Sequence, residues 1–239
     1  MLKLIDLKFK NNHKVILDNL NLNINDGEVH VLMGPNGAGK STLMNIIMHN
    51  EAYKLESGKI MYNEEDITYL DTASIAKKGI FLAHQDPVSI DGVSLIELLR
   101  ENAKSKKQNI IMYAKELNKA LEEVGLSKDF ASRGVNEGLS GGEKKKSEIA
   151  QTLLLKPRLI LLDEIDSGLD VDALKNIVKI LKAYLKETHA SLLMITHNPL
   201  IISSFENVHV HVLDKGHIIK SGSKDIALKI AEAGFNYEA

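Results

Sequence analysis

The stretch Gly34-Pro35-Asn36-Gly37-Ala38-Gly39-Lys40-Ser41-Thr42 carries three glycines, a lysine and two hydroxyls within nine consecutive residues. Glycines tolerate positive φ and let backbone N–H groups crowd around phosphate oxygens, and a helix start behind them adds its dipole to a dense negative charge. In that arrangement Lys40 reaches the β and γ phosphates, Ser41 sets its hydroxyl on Mg²⁺, and Thr42 is close enough to bond a further phosphate oxygen. An incidental glycine turn would not need a short strand at 29–33 before it and a helical apolar face at 43–48 after it. Both are present, and the motif reads as a nucleotide site.

A second chemical stretch runs from residue 139 to residue 170. Ser140, Gly141, Gly142 and Glu143 open a helix. A Ser-x-x-Glu capping box accounts for Ser140 and Glu143 but leaves both glycines unexplained, each costing about 1 kcal/mol in a helix interior. An anion that must approach the backbone would explain them. It would also offset Lys144, Lys145 and Lys146, whose charges oppose the helix dipole. The same stretch ends in the apolar run 159–162 and the carboxylates Asp163 and Glu164, at the strand end where ligands of open α/β sheets bind. Adjacent carboxylates call for a cation: Asp163 to hold Mg²⁺ and Glu164 to orient or deprotonate an attacking water. Because a helix and a strand separate the two halves, the expectation is that each serves a different copy of the chain.

Single residues at other strand ends join this set by position. Gln85 follows the strand at 79–83 and offers an amide that can sense Mg²⁺ or water. His197 follows the strand at 191–195 and can reach a γ-phosphate. His209 and His211 share one face of the strand VHVHVL; with no acidic or third histidine partner in view, they read as ordinary strand residues.

Other elements must position these groups. Residues 2–9 and 15–24 alternate apolar and polar, as half-buried antiparallel strands do, with a turn at Asn25, Asp26 and Gly27. Residues 57–62 read as a further strand. Residues 93–125 have helical spacing and form an insertion, whose run Lys104, Ser105, Lys106, Lys107 reads as a solvated loop because no aromatic residues interleave it. A helix with Leu174, Ile177, Leu181 and Leu185 on one face follows the carboxylates. A hairpin turn at Asp214, Lys215 and Gly216 and a helix over 224–233 close the chain.

Composition narrows the class. With 239 residues, 44% of them hydrophobic, the chain can bury one substantial core with a smaller lobe. A net charge of −2 gives no drive toward nucleic acid or an anionic membrane. The absence of cysteine excludes disulfides, thiolate metal sites and a cluster held on the chain's own thiols. No signal peptide or membrane span is evident, so a soluble cytoplasmic protein is expected.

Residues 34–41, Gln85, 139–143, 159–164, 167–170 and His197 resemble, in order, the Walker A, Q-loop, signature, Walker B, D-loop and H-switch motifs of ABC ATPases. The resemblance implies an α/β P-loop fold with an antiparallel β lobe, a single domain over 1–239 and a helical subdomain inserted at 92–135. It implies ATP and Mg²⁺ as cofactors, with Ser41, Gln85 and Asp163 toward the metal and Glu164, His197 and Gln85 in catalysis. It also implies an ATP-dependent head-to-tail dimer, in which Ser140 and Gly142 of one copy bind the γ-phosphate held by Lys40 of the other. Many members stack an aromatic on adenine near the N-terminus. Asn11 and Asn12 occupy that region here, beside Phe9 and His13. The wording FLAHQDPVSIDGVS, RGVNEGLSGGEKKK and LLDEIDSGLDVDAL is similar to the SufC subfamily, in which the ATPase acts on a SufB or SufB–SufD scaffold during iron–sulfur cluster assembly. Transporter subunits usually read DEP after Walker B, whereas Ile165 and Asp166 follow Glu164 here. The alternative is the ATP-binding subunit of an ABC transporter.

Overall fold

The computed structural model describes residues 1–105 and 109–235. Lys106 and Lys107 of the expected basic loop lie outside them, as do the side chains of Lys104 and Ser105. The chain divides into two compact units. The first comprises residues 1–82, 157–164 and 185–239, and the second residues 83–156 and 165–184.

The first unit opens with β1 (Leu2–Asn11) and β2 (Lys14–Ile24), followed by β3 (Val29–Met33) and α1 (Lys40–Ile47). After these come β4 (Ser57–Tyr62), β5 (Glu65–Asp66), α2 (Thr72–Lys77) and β6 (Ile80–Ala83). The β-lobe sheet has the order β2-β1-β4-β5, and each of its neighbouring pairs is antiparallel. Its strands alternate buried and exposed residues, with Leu2, Leu4, Leu7, Leu20, Leu22 and Ile24 turned inward, as a sheet with one solvated face requires.

The second unit contains β7 (Ile90–Ser94), α3 (Leu95–Ser105), α4 (Ile110–Glu123), a 3₁₀ turn (Lys128–Ser132), β8 (Gly134–Val135) and α5 (Gly141–Leu155). Helix α4 packs against α5, and β7 pairs with β8. Tyr113, Leu117, Leu121 and Val124 of the α4 region are buried, as are Ile149 and Ala150 of α5. The expected insertion at 92–135 falls inside this unit, which extends beyond it to include α5.

The chain then returns to the first unit with β9 (Leu159–Asp163). Helix α6 (Val171–Thr188) belongs to the second unit through Tyr184 and to the first from Leu185. The rest lies in the first unit: β10 (Ser191–Ile195), α7 (Pro199–Ser204), β11 (Val208–Asp214), β12 (His217–Gly222) and α8 (Asp225–Ala233). Its larger sheet has the order β12-β11-β3-β10-β9-β6, with β11, β3, β10 and β9 parallel and β12 antiparallel at the edge. Every residue of β3, β9 and β10 is buried, which is why these strands read as continuous apolar runs rather than alternating ones. One hydrophobic cluster joins both sheets of this unit, drawing in Leu4, Leu20, Leu32, Met44, Leu161, Leu193 and Leu213.

His209 and His211 do share a face of β11. Their surroundings differ from the expectation of ordinary strand residues, because His209 is in register with His30 of β3. His30 and Glu28 supply the third histidine and the carboxylate that the strand alone does not show.

Candidate nucleotide-binding site

Strand β3 ends at Met33 and the chain turns through residues 34–39 into α1. Gly34, at φ 153°, lies so close to β11 that a Cβ there would sit 2.0 Å from the Leu213 carbonyl oxygen. Only glycine lets the loop leave the sheet along this path. Gly39 precedes the helix in the left-handed region, and no side chain caps the first turn of α1. Its orphan N–H groups are therefore not satisfied by a local side chain, and they point with the positive end of the helix dipole.

Lys40 is buried, and its Nζ donates to the Gly34 carbonyl at 2.7 Å and to the Pro35 carbonyl at 3.0 Å. Burial pulls its pKa down, while the charges of Glu164 and Asp163 push it back up. Lysine, phosphate loop and both carboxylates thus form one electrostatic group within the first unit, although about 120 residues separate them in sequence. Ser41 and Thr42 occupy the first turn of α1, and both are half-buried.

The carboxylates are set by β9. Asp163 is its last residue, buried at 4% exposure and paired in register with Ile195 of β10. Glu164 follows, half-buried, with its N–H donating to the Ile195 carbonyl at 3.1 Å. Its φ is 48°, a left-handed conformation that costs a non-glycine residue on the order of 1 kcal/mol. Strain of this kind concentrates at functional positions. His197 lies just beyond the end of β10, exposed, with its ring edge-to-face against Phe235 at 5.6 Å between centroids.

The remaining expected residues belong to the second unit. Gln85 is exposed, two residues beyond the end of β6. Ser140 caps α5: its Oγ accepts from the Glu143 N–H, and both its own N–H and its hydroxyl donate to Glu143 Oε2, at 2.8 and 2.7 Å. These bonds hold the Glu143 carboxyl below its ordinary pKa. The capping box is thus formed. The two glycines behind it separate. A Cβ at Gly141 would meet nothing within 4 Å, whereas at Gly142 it would sit 3.2 Å from the Gly168 carbonyl oxygen. A return of the chain at 168 therefore accounts for the small residue at 142, and only Gly141 lacks a steric reason.

The burial of two polar side chains of α5 was not anticipated from sequence. Lys145, one of the three lysines whose charges oppose the helix dipole, is buried at 4% exposure and donates to the Ser167 hydroxyl. Glu148 is also buried, and its Oε1 accepts the His84 N–H, next to Gln85, at 3.2 Å. Burial pushes its carboxyl up to about 8, against the opposing pull of that hydrogen bond and of Lys145. The i, i+3 spacing of 145 and 148 on one helix face was the available signal.

A family model described as "ABC transporter" matches residues 17–167. The chain is 42% identical, over 93% of its length and 91% of the other, to the "Probable ATP-dependent transporter ycf16" of Antithamnion sp.. To the "Probable ATP-dependent transporter slr0075" of Synechocystis sp. it is 40% identical, over 93% of its length and 89% of the other. Among solved structures it is similar to the dimeric post-hydrolysis state of the ATP-binding cassette MJ0796 bound to ADP and Pi. That likeness has a TM-score of 0.79 and 26% identity, and covers 94% of this chain and 99% of that one.

Proposed function

This chain belongs to the ABC ATPase family, which binds and hydrolyses ATP, and we propose that it is a SufC-type member whose ATP cycle rearranges a soluble SufB or SufB–SufD scaffold during iron–sulfur cluster assembly. The observation that carries the ATPase part is the electrostatic group of the first unit: a buried lysine folded onto the phosphate loop and flanked by the charges of Asp163 and Glu164. Residues 34–42 cradle the phosphates of ATP, Lys40 neutralises the β and γ groups, and Glu164 acts as base toward water. His197 contributes to the γ-phosphate surroundings.

The donor set fits Mg²⁺, a hard ion that takes oxygen ligands. The Ser41 hydroxyl and the Asp163 carboxylate would hold it, and bound there it would neutralise charge on the β and γ phosphates. The chain's own residues supply the rest: Lys40 binds phosphate and Glu164 orients water.

Two copies close head to tail in this reading, with Ser140 and Gly142 of one completing the site at Lys40 of the other. Residues 92–135 form the subdomain that meets the scaffold. Support for that comes from the start of α4, where Ile111 and Met112 are 70% and 62% exposed, an apolar surface of the kind partners cover. The choice of a soluble scaffold rests on Ile165 and Asp166, which stand where transporter subunits usually have proline after the glutamate. The names of the relatives favour a second reading, an ATP-binding subunit of a transporter. Among the described residues no helix is long and apolar enough to cross a membrane, so under that reading separate subunits would supply the spans.

Affinity capture with the Glu164→Gln chain and ATP, from a native lysate without detergent, separates the two. Recovery of a SufB-like protein at near-stoichiometric amounts is the expected result. Recovery of integral membrane subunits, and only after detergent extraction, would overturn the scaffold assignment.

A further inference from the structure

Strand β3 carries a second chemical group at the end opposite its phosphate loop. Glu28, just before the strand, and His30 within it face His209 of the parallel neighbour β11. His30 Nε2 is 2.9 Å from Glu28 Oε2, His209 Nε2 is 3.8 Å from Glu28 Oε1, and one ligand atom from each of the three lies within 4.8 Å of the others. The His30 and His209 rings stack at 4.8 Å between centroids. We propose that Glu28, His30 and His209 form a binding site for a divalent transition-metal ion of the zinc type, distinct from the nucleotide's Mg²⁺ and independent of the ATPase assignment.

The ligand chemistry selects the ion. Two imidazoles and one carboxylate suit zinc and its neighbours, and they disfavour Mg²⁺, which prefers oxygen alone. Tetrahedral ligands about 2.0–2.1 Å from zinc stand roughly 3.4 Å from one another. The two contacts fall on different oxygens of Glu28, and the three ligand atoms start no more than 4.8 Å apart, so a side-chain adjustment draws them together. His209, with half of its side chain exposed, is the ligand with room to make that adjustment and leaves the fourth position toward solvent.

What separates this trio from a chance cluster is its support. Metal-binding histidines hold their orientation by donating the second ring N–H to a neighbour. His30 is 2% exposed, and its Nδ1 lies 2.8 Å from Nε2 of buried His211, whose own Nδ1 lies 2.7 Å from the Ser221 hydroxyl of β12. The chain of contacts has two self-consistent proton arrangements. While His30 Nε2–H donates to Glu28, His30 Nδ1 accepts from His211 Nε2–H, and His211 Nδ1 accepts from Ser221 O–H. With the ion on His30 Nε2, every bond reverses: His30 Nδ1–H donates to His211 Nε2, and His211 Nδ1–H donates to Ser221 Oγ. Each ring keeps one proton in both states, so binding exchanges tautomers without charging a buried ring. The ion would tie β3 to β11 at the end of the sheet remote from the phosphate loop.

Zinc chloride titrated calorimetrically into untagged, chelator-stripped protein tests the site, with cobalt chloride absorption and histidine ¹⁵N spectra as further readouts. One zinc per chain is expected, with affinity falling at least tenfold in His209→Ala and also in Ser221→Ala, which removes only the supporting hydroxyl. The ¹⁵N spectra should show His30 and His211 passing from the Nε2–H to the Nδ1–H form on loading. Equal zinc affinity in wild type and His209→Ala, or no change in either tautomer at saturation, would overturn the proposal. Because His209 is half-exposed, its variant keeps the fold, which circular dichroism confirms before titration.

Discussion

Helices α1 and α5 both follow a glycine-bearing loop and both bury an ionisable side chain, yet they treat their first turns in opposite ways. Helix α1 has no side-chain cap, and its buried cation, Lys40, folds back onto loop carbonyls. Helix α5 is closed by a reciprocal capping box, and its buried acid, Glu148, accepts the His84 N–H. An uncapped start with a lysine beside it is arranged to take an anion on its own. A capped start is already satisfied in the single chain, so Ser140 must release Glu143 before its hydroxyl can serve a phosphate. The difference teaches that the two halves of the proposed composite site are not equally prepared: the phosphate loop is open in the single chain, whereas the signature helix would have to give up its own cap to serve a second copy.

Lys40→Ala breaks the comparison most severely. It removes the donor to two loop carbonyls and the positive charge balancing Asp163 and Glu164. Turnover should fall on the order of 10²–10³-fold, as for the loss of one preorganised transition-state donor. ATP hydrolysis and nucleotide affinity measured on the folded variant check this. Activity within twofold of wild type would mean that α1 is not the phosphate-binding helix.

The phosphate loop was legible in sequence because its parts are consecutive: strand 29–33, residues 34–42 and helix share one motif, and each residue type has a backbone reason to be there. The β lobe was legible because alternation reports one solvated face. What escaped depends on chain returns. Gly142 looks like an opening for an anion until Gly168 is seen 3.2 Å from its missing Cβ. Lys145 looks like a charge awaiting a bound anion until Ser167 comes back over it. His209 and His211 look ordinary because their partners, His30 and Glu28, stand about 180 residues earlier and meet them only through the β3–β11 register. Local pattern reports which face is buried, but not which distant residue shares it.

The buried charges sharpen the comparison at the next level. Glu148 is pushed up to about 8 by burial. An acid whose folded pKa is raised binds its proton more tightly folded than unfolded, so wild-type stability should decline as pH rises from about 4.5 to 8 and level off above. Glu148→Gln keeps an oxygen for the His84 N–H and removes the titration. The stability advantage of the variant should therefore grow by roughly 3 kcal/mol between pH 5 and pH 8. Urea unfolding at both values measures it, and parallel pH profiles for the two proteins would show that Glu148 is not held neutral.

The smallest expected effect separates the two roles of Ser140. As an N-cap, serine is worth about 1 kcal/mol over alanine and only a few tenths over glycine. If capping is its whole contribution, Ser140→Gly should match wild type in both stability and turnover, and Ser140→Ala should lose about 1 kcal/mol with turnover changed only in proportion. If its hydroxyl also reaches the γ-phosphate of a second copy, the two variants still differ in stability but fall together in ATP-dependent dimerisation and hydrolysis, by roughly tenfold, the worth of one hydrogen bond to a charged group. The second pattern is the expected one. Thermal unfolding, light scattering with ATP and steady-state hydrolysis on the same preparations distinguish them, because the stability ranking comes from the helix start alone while the turnover ranking comes from what that start meets.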